Sequence, residues 1–358
     1  MFIVNTEVNN FYSGKRILVT GHTGFTGGWL CVWLQSLNAE VFGFALEPKT
    51  TPNMFDVLKL DELMNHKIGN ICDVEVLTNY VNEVKPDIIF HLAAQPIVSI
   101  GYDDPHDTFN TNVMGTLNVL EAARNSETVK AVVCVTTDKV YKNNEWHWGY
   151  REVDELGGSD PYSASKSASE MVITTYQKTL SQRGNNVLIA SARGGNIIGG
   201  GDWAPNRIVP DFVLAAINNE TLSLRSPTAT RPWQHVMALV HGYLLLGYQL
   251  SQGEGDFAQA WNFGPLSDGE QSVGALVEEM KIHWPEVKIE LGKSTFKESH
   301  FLHLTSEKAR TVLGWKPPLN FAETIKTTAD WYKEFYANKS NMLEVTKSQI
   351  AMYNNALG

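Results

Sequence analysis

Two segments hold residues suited to moving a proton and a hydride: V-T-T-D-K-V-Y at Val135–Tyr141 and D-P-Y-S-A-S-K at Asp160–Lys166. If Asp160–Pro161 opens a helix, Tyr162 and Lys166 share one face, with their Cβ atoms roughly 6 Å apart. A free phenol, with a pKa near ~10, is a poor base at neutral pH, and a neighbouring ammonium favours phenolate. Thr137 adds a hydroxyl able to share a substrate oxygen with Tyr162. Alone, a Tyr and a Lys at helical spacing are more often a surface pair than a catalytic one. The elements around them decide.

Arg16–Gly21 (R-I-L-V-T-G) reads as a buried strand, and Phe25–Leu37 as an apolar helix. Between them stand Gly21, Gly24 and Gly27 in T-G-H-T-G-F-T-G. Glycines there permit a tight turn and let the backbone approach a pyrophosphate resting on the helix N-terminus. The spacing is G-x-x-G-x-x-G, so the general G-x-G-x-x-G fingerprint is only partly met. A bare glycine triplet is a structural turn about as often, and its place after the first apolar strand favours the dinucleotide reading. On the second strand, Glu40–Leu46, Ala45 stands where an acidic residue would hold the adenosine ribose, with Glu47 two residues further on. No arginine stands there for a 2′-phosphate, so NAD is favoured over NADP. Asp73, placed after a third strand at N-I-C-D, is a candidate acceptor for the adenine amino group, or a cap on the next helix.

The alternation continues with helical Val74–Val84, strand Pro86–Ala93, helical Pro105–Arg124, strand Ala131–Thr137, the Tyr162 helix and strand Val187–Ala192. Strands apolar throughout and separated by helices predict an α/β fold with a doubly wound parallel sheet. After Arg193 the pattern weakens, with G-G-G-D-W-A-P at Gly199–Pro205. Helical Val209–Asn218 and Val236–Leu250, strand Trp261–Phe263, and helical Val273–Lys281 and Ala322–Tyr336 follow. This gives a dinucleotide-binding domain at 1–192 and a smaller mixed substrate-binding region at 193–358, parts of which return to the first.

The 358 residues suffice for one large domain or two ordinary ones, and 43% hydrophobic with 19% charged residues is an ordinary globular composition. A net charge of −10 argues against nucleic acid or an anionic membrane as the main partner. Cys31, Cys72 and Cys134 are isolated in apolar contexts and read as buried free thiols of a reducing, cytoplasmic compartment. Met1–Lys15 lacks a signal pattern, and no apolar run of about 18 residues predicts a membrane span. His300-x-x-His303 has no carboxylate–histidine cluster beside it, so no metal is expected. His235 and His241 read as packed or capping residues. Trp146 and Trp148 are candidates for lining a cleft, or core aromatics.

With the glycine turn, Thr137 and Tyr162-x-x-x-Lys166 in order on this pattern, the chain resembles the extended short-chain dehydrogenase/reductase family. H-L-A-A-Q (His91–Gln95), T-N-V-M-G-T-L-N-V-L-E-A (Thr111–Ala122), R-G-G-N-I-I-G-G-G-D-W-A-P-N-R-I-V-P-D (Arg193–Asp211) and R-P-W-Q-H-V (Arg231–Val236) resemble its sugar-nucleotide branch. T-T-D-K at Thr136–Lys139 is similar to the Thr-Asp-Glu of the nucleotide-sugar 4,6-dehydratases, with lysine in place of glutamate. That replacement, with T-G-H-T-G-F and R-P-W-Q-H-V, most resembles the members acting on CDP-glucose.

The resemblance implies a modified Rossmann fold binding NAD through Gly21, Gly24, Phe25, Thr26, Gly27, Asp73, Ala93, Tyr162 and Lys166. It implies Asn196 on the substrate diphosphate and Arg231 on the nucleotide side. Arg207 is a candidate further phosphate partner, or half of a surface salt bridge. His91 shapes the strand end beside the cofactor. Tyr162 takes the proton of the sugar 4-hydroxyl, Lys166 holds the phenolate, Thr137 donates to the developing ketone, and Asp138 protonates the leaving 6-hydroxyl. Lys139 occupies the place of the C5 base; an ammonium cannot accept a proton, so it is a base only when neutral, or has an electrostatic part. The family pairs two helices per subunit into a four-helix bundle, here the Pro105–Arg124 and Tyr162 helices, giving a homodimer or a tetramer of such dimers. A sugar-nucleotide 4-epimerase, and a dinucleotide-binding sensor without catalysis, are the competing readings.

Overall fold

Seven short segments line up as one parallel sheet in the computed structural model, which describes residues 5–182, 184, 186–265, 270–292, 302–338 and 341–357. They are β1 Arg16–Thr20, β2 Glu40–Ala45, β3 Asn65–Ile68, β4 Ile88–His91, β5 Ala131–Val135, β6 Leu188–Gly194 and β7 Ala260–Phe263. Their order is β7-β6-β5-β4-β1-β2-β3. Strand order reverses between β1 and β4, and the crevice beyond the strand C-termini at such a point is where α/β sheets bind ligands.

Helices cover both faces, which is why the central strands are apolar throughout. The principal ones are α1 Phe25–Ser36, α2 Val74–Val84, α3 Gly115–Arg124, α4 Pro161–Gln182, α5 Val236–Ser251, α6 Phe321–Ala337 and α7 Met342–Ala356. On one face α1 and α5 share a core with the tail helices α6 and α7; on the other, α2, α3 and α4 enclose a second. The Pro105–Arg124 stretch is helical but not uniform. Pro105–Phe109 passes through a π turn at Asn110–Met114 into α3. Inside that turn the buried Asn112 donates to Gln95 O at 3.1 Å and to Ser165 Oγ of α4 at 2.8 Å.

The third strand departs from expectation. It is Asn65–Ile68 (N-H-K-I), ahead of N-I-C-D, and it is a polar edge with β2 as its one neighbour. An edge strand needs no continuous apolar run, so the pattern did not show it. The chain after 192 is also more mixed than expected. β6 runs on to Gly194, β7 pairs with β6, and α5 covers the sheet. Outside the sheet, Thr221–Leu224 pairs with Lys288–Leu291, Thr230–Pro232 with Glu270–Ser272, and Ile197–Ile198 with Gln234–His235. Cys31 and Cys134 are buried free thiols, whereas Cys72 is only half-buried, because it sits in the turn before α2. Among the described residues no helix is long and apolar enough to cross a membrane, and no group of three His, Cys, Asp or Glu side chains gathers. His300 lies outside the described residues.

Among the described residues four imidazoles are buried. His22 meets the rings of Phe55 and His66 at 5.4 and 5.3 Å. His91 bridges Thr20 (2.8 Å) and Thr116 (3.1 Å). His235 accepts from Met237 N at 3.2 Å as the cap of α5, and His241 stacks on Trp33 at 6.3 Å. Burial disfavours the charged form and pulls His22, His91 and His235 down to about 3 and His241 to about 4. The unfolded chain takes up protons below its ordinary value of about 6.5 while the native state does not, so stability is complete above that pH and drains as pH falls. The loss is on the order of 1 kcal/mol per histidine per pH unit. Thermal midpoints measured across this range should therefore fall steeply below about pH 6.5. A flat profile down to about pH 5 would show that the native imidazoles are not held neutral.

Candidate active site

The site begins where β5 stops. Thr136 N still donates to Ala192 O of β6 at 2.9 Å, and Thr137 then turns the chain into a single 3-10 turn, Asp138–Val140. Thr137 Oγ1 caps that turn, accepting from Lys139 N at 3.3 Å. Thr137 and Asp138 thus stand at the C-terminal edge of the sheet, both buried, with Lys139 partly exposed. Asp160 opens α4 by accepting from Ser163 N at 3.0 Å and Ser163 Oγ at 2.6 Å, and Pro161 occupies the first helical position, where its missing N–H costs nothing.

This first turn of α4 sets the Tyr162 hydroxyl beside Thr137, whose hydroxyl favours the phenolate. Thr137 Oγ1 in turn donates to Asp138 Oδ1 at 2.9 Å. Asn196 Nδ2 donates to Asp138 Oδ2 at 3.2 Å. Gly195 lies so close that a Cβ there would stand 2.3 Å from Asp138 Oδ1. The structure therefore joins Thr137, Asp138 and Asn196 by hydrogen bonds, with the Tyr162 phenol beside Thr137.

Burial pushes the Tyr162 phenol up to about 12; the Thr137 hydroxyl and the Arg207 charge oppose it, while Asp138 and Asp160 add to it. Burial also brings Lys166 down to about 8. Lys166 shares the Tyr162 face of α4 as expected, but its Nζ donates to Val135 O at 3.3 Å. Arg207 is a cation whose charge favours the phenolate here, while Lys166 Nζ is bonded at the end of β5. Arg207 is paired with Asp202 at 2.8 Å. That carboxylate belongs to a loop clamped by α6: Tyr332 donates to Asp202 O at 2.5 Å, Trp29 Nε1 donates to Gly200 O at 2.9 Å, and Trp331 packs against Gly200.

Beside this group lies a cradle for a pyrophosphate. Gly21 turns with φ +80°, and a Cβ there would stand 2.7 Å from Ala93 N at the end of β4. A Cβ on Gly24 would meet only Gly21 O, at 3.4 Å, so that face is open. Helix α1 starts at Phe25, Thr26 and Gly27 with no side-chain cap and no acidic residue in its first turn, leaving its positive end unopposed. The residues present fit a dinucleotide. At the end of β2, Thr23 Oγ1 donates to Leu46 O at 2.9 Å, next to Ala45, and Glu47 is exposed. Asp73 accepts from Val76 N at 3.1 Å as the cap of α2.

Arg231 lies on the two-stranded pair with Glu270–Ser272, where Nη1 donates to Thr230 O at 2.9 Å. Trp146 packs on Tyr150 at 5.1 Å in a satellite cluster with Leu302 and Leu304, and Trp148 is 73% exposed. Sequence reasoning passed over Glu170 and Arg193, a buried pair at 2.8 Å. Glu170 stands one helical turn after Lys166, but its partner is on β6, and no local spacing announces a pair closed by the fold.

A family model described as GDP-mannose 4,6 dehydratase matches residues 18–328. The chain is 41% identical over 353 residues to a CDP-glucose 4,6-dehydratase of Salmonella typhimurium, covering 97% of this chain and 98% of that one. It is 29% identical to a probable dTDP-glucose 4,6-dehydratase of Sinorhizobium fredii, over 89% of this chain and 93% of the other. Among solved structures, the dTDP-glucose 4,6-dehydratase DesIV of Streptomyces venezuelae, with NAD bound, superposes with a TM-score of 0.75 at 24% identity, covering 91% and 99% of the two chains. The fold is that of these enzymes, and the chain belongs to the nucleotide-sugar 4,6-dehydratase family of short-chain dehydrogenase/reductase type that the GDP-mannose 4,6 dehydratase model describes.

Proposed function

We propose that this protein is an NAD-dependent hydro-lyase that converts CDP-D-glucose to CDP-4-keto-6-deoxy-D-glucose and water. The observation that carries the reading is Asp138, hydrogen-bonded to Thr137 beside Tyr162. Oxidation at C4 alone, as in an epimerase, needs the phenol and the hydroxyl; a buried carboxyl group next to them suits an elimination. The CDP-glucose assignment rests on the Salmonella relative and on Lys139.

NAD bound on the Gly21–Gly27 turn would take hydride from the sugar C4 and return it at C6. Tyr162, as phenolate, accepts the 4-hydroxyl proton, aided by the Arg207 charge. Thr137 turns its hydrogen from Asp138 toward the developing ketone. That ketone acidifies C5–H; Lys139, when neutral, removes the proton, and Asp138 protonates the departing 6-hydroxyl, which leaves as water. Lys139 returns its proton to C5. To close the cycle, the proton held by Tyr162 must pass to Asp138, and Thr137 Oγ1, bonded to Asp138 and next to the phenol, is the relay we assign. Asn196, Arg207 and Arg231 are the groups we assign to the diphosphate and nucleotide.

We also propose a homodimer through a four-helix bundle. The face formed by Pro105–Arg124 and α4 exposes Phe109 (39%), Met114 (46%) and Met171 (59%), and exposed apolar patches of this kind mark interaction surfaces.

A turnover panel of CDP-, dTDP-, GDP- and UDP-glucose, with and without added NAD, tests the function. CDP-glucose should be preferred and its product should have lost one water; a C4 epimer of unchanged mass would replace the dehydratase reading. With no acid at the end of β2, NAD should be lost on purification and activity restored by adding it; protein isolated with its full complement would contradict this. Lys139→Met should lower turnover by about 10²–10⁴ and stop exchange of the C5 hydrogen with solvent deuterium. Near-normal exchange would remove Lys139 from the role of base. Phe109→Glu combined with Met171→Lys should sediment as a monomer beside a dimeric wild type; an unchanged mass would place the interface elsewhere.

A further inference from the structure

The segment between Thr136 and Tyr141 holds the residues assigned to chemistry, and both its ends are tied to one ion pair. Glu170 is fully buried on α4 and Arg193 nearly so on β6. One oxygen of the carboxylate accepts from Thr136 Oγ1 at 2.5 Å. The other accepts from Ser191 Oγ at 2.8 Å and Arg193 Nη2 at 2.8 Å. Arg193 Nη1 donates to the Tyr141 hydroxyl at 2.8 Å, and Tyr141 donates to Asn262 Oδ1 of β7 at 2.6 Å. The chain therefore leaves the sheet at a residue fixed by Glu170 and leaves the 3-10 turn at one fixed by Arg193. Thr137, Asp138 and Lys139 hang between.

We infer that the Glu170–Arg193 pair is a positioning clamp for the reaction, holding Thr136 and Tyr141 so that Thr137, Asp138 and Lys139 meet the sugar at C4, C6 and C5 together. Neither member of the pair touches that group of side chains; they act through Thr136 and Tyr141. The inference about catalysis rests on the dehydratase reading, while the mechanical part does not. Angular freedom matters most for the elimination, which needs Asp138 and Lys139 aligned on two carbons at once. A misplacement of about 1 Å costs such a step on the order of 10²-fold.

Substitution of Glu170 or Arg193 strands a buried charge and threatens folding, so the test uses the two ends of the clamp. Thr136→Val and Tyr141→Phe each delete hydrogen bonds with little change of shape, and Thr136→Ser keeps the hydroxyl. With CDP-glucose and added NAD, Thr136→Val should lower kcat by about 10- to 100-fold with KM changed less than about threefold. The isotope effect from deuterium at C5 should rise as elimination becomes rate-limiting. Thr136→Ser should restore both. Wild-type kcat and isotope effect in Thr136→Val, or a loss that merely follows the unfolded fraction in a thermal melt, overturns the clamp. Amide hydrogen exchange supplies an arm that needs no turnover. The peptide 136–141 should exchange at least about tenfold faster in Thr136→Val and Tyr141→Phe, with β1 and β4 unchanged. Unaltered exchange overturns the clamp even if wild-type protein turns over no nucleotide sugar, a result that would itself sink only the dehydratase reading.

Discussion

A carboxylate and a guanidinium sealed from water between α4 and β6 set the terms for much of this molecule. Desolvating either ion alone is costly, and breaking such a pair by removing one partner typically costs about 3–5 kcal/mol. Burial pushes the Glu170 carboxyl up, yet Arg193 and the hydroxyls of Thr136 and Ser191 hold it below the usual carboxylate range. The ions are satisfied only when α4, β5, β6 and the loop after Lys139 are all in place. Because α4 also carries Tyr162 and Lys166, the ionic requirement of the interior and the geometry of the reacting groups are met by one arrangement.

Tyr162, Thr137 and Asp138 form the second interdependent set. A phenol raised to about 12 by burial is a reluctant donor of its proton. The Thr137 hydroxyl and the Arg207 charge act in the opposite direction, so the resting state is protonated and the ionised form is within reach. This arrangement differs from a simple Tyr–Lys couple. Lys166, brought to about 8, is bonded to Val135 O at the end of β5.

Much of this was legible in the sequence because it is local. The strand-to-helix glycine turn, the Asp160–Pro161 opening of α4, and the four-residue spacing of Tyr162 and Lys166 each follow from backbone rules acting within a few residues. What stayed hidden is what the fold closes over long range. β3 is polar because its outer edge faces water, so its N-H-K-I reads as loop. The Glu170–Arg193 pair spans a helix and a strand, and Asn262 meets Tyr141 only because β7 returns to the sheet beside β6. Cys72 and Trp148, apolar by type, proved half-buried and exposed; residue type alone says little of a position in a turn.

The loop that presents Arg207 is braced by residues far downstream, Trp331 and Tyr332 on α6. Every side chain assigned to chemistry or to phosphate has been synthesised by Arg231, yet the brace is added about a hundred residues later. A nascent chain can build the sheet and seat Tyr162 beside Thr137, but the cation that tempers the phenol gains its fixed place only when α6 docks. The order of synthesis thus makes α6 a late step in arming a site whose reacting atoms lie entirely upstream of it.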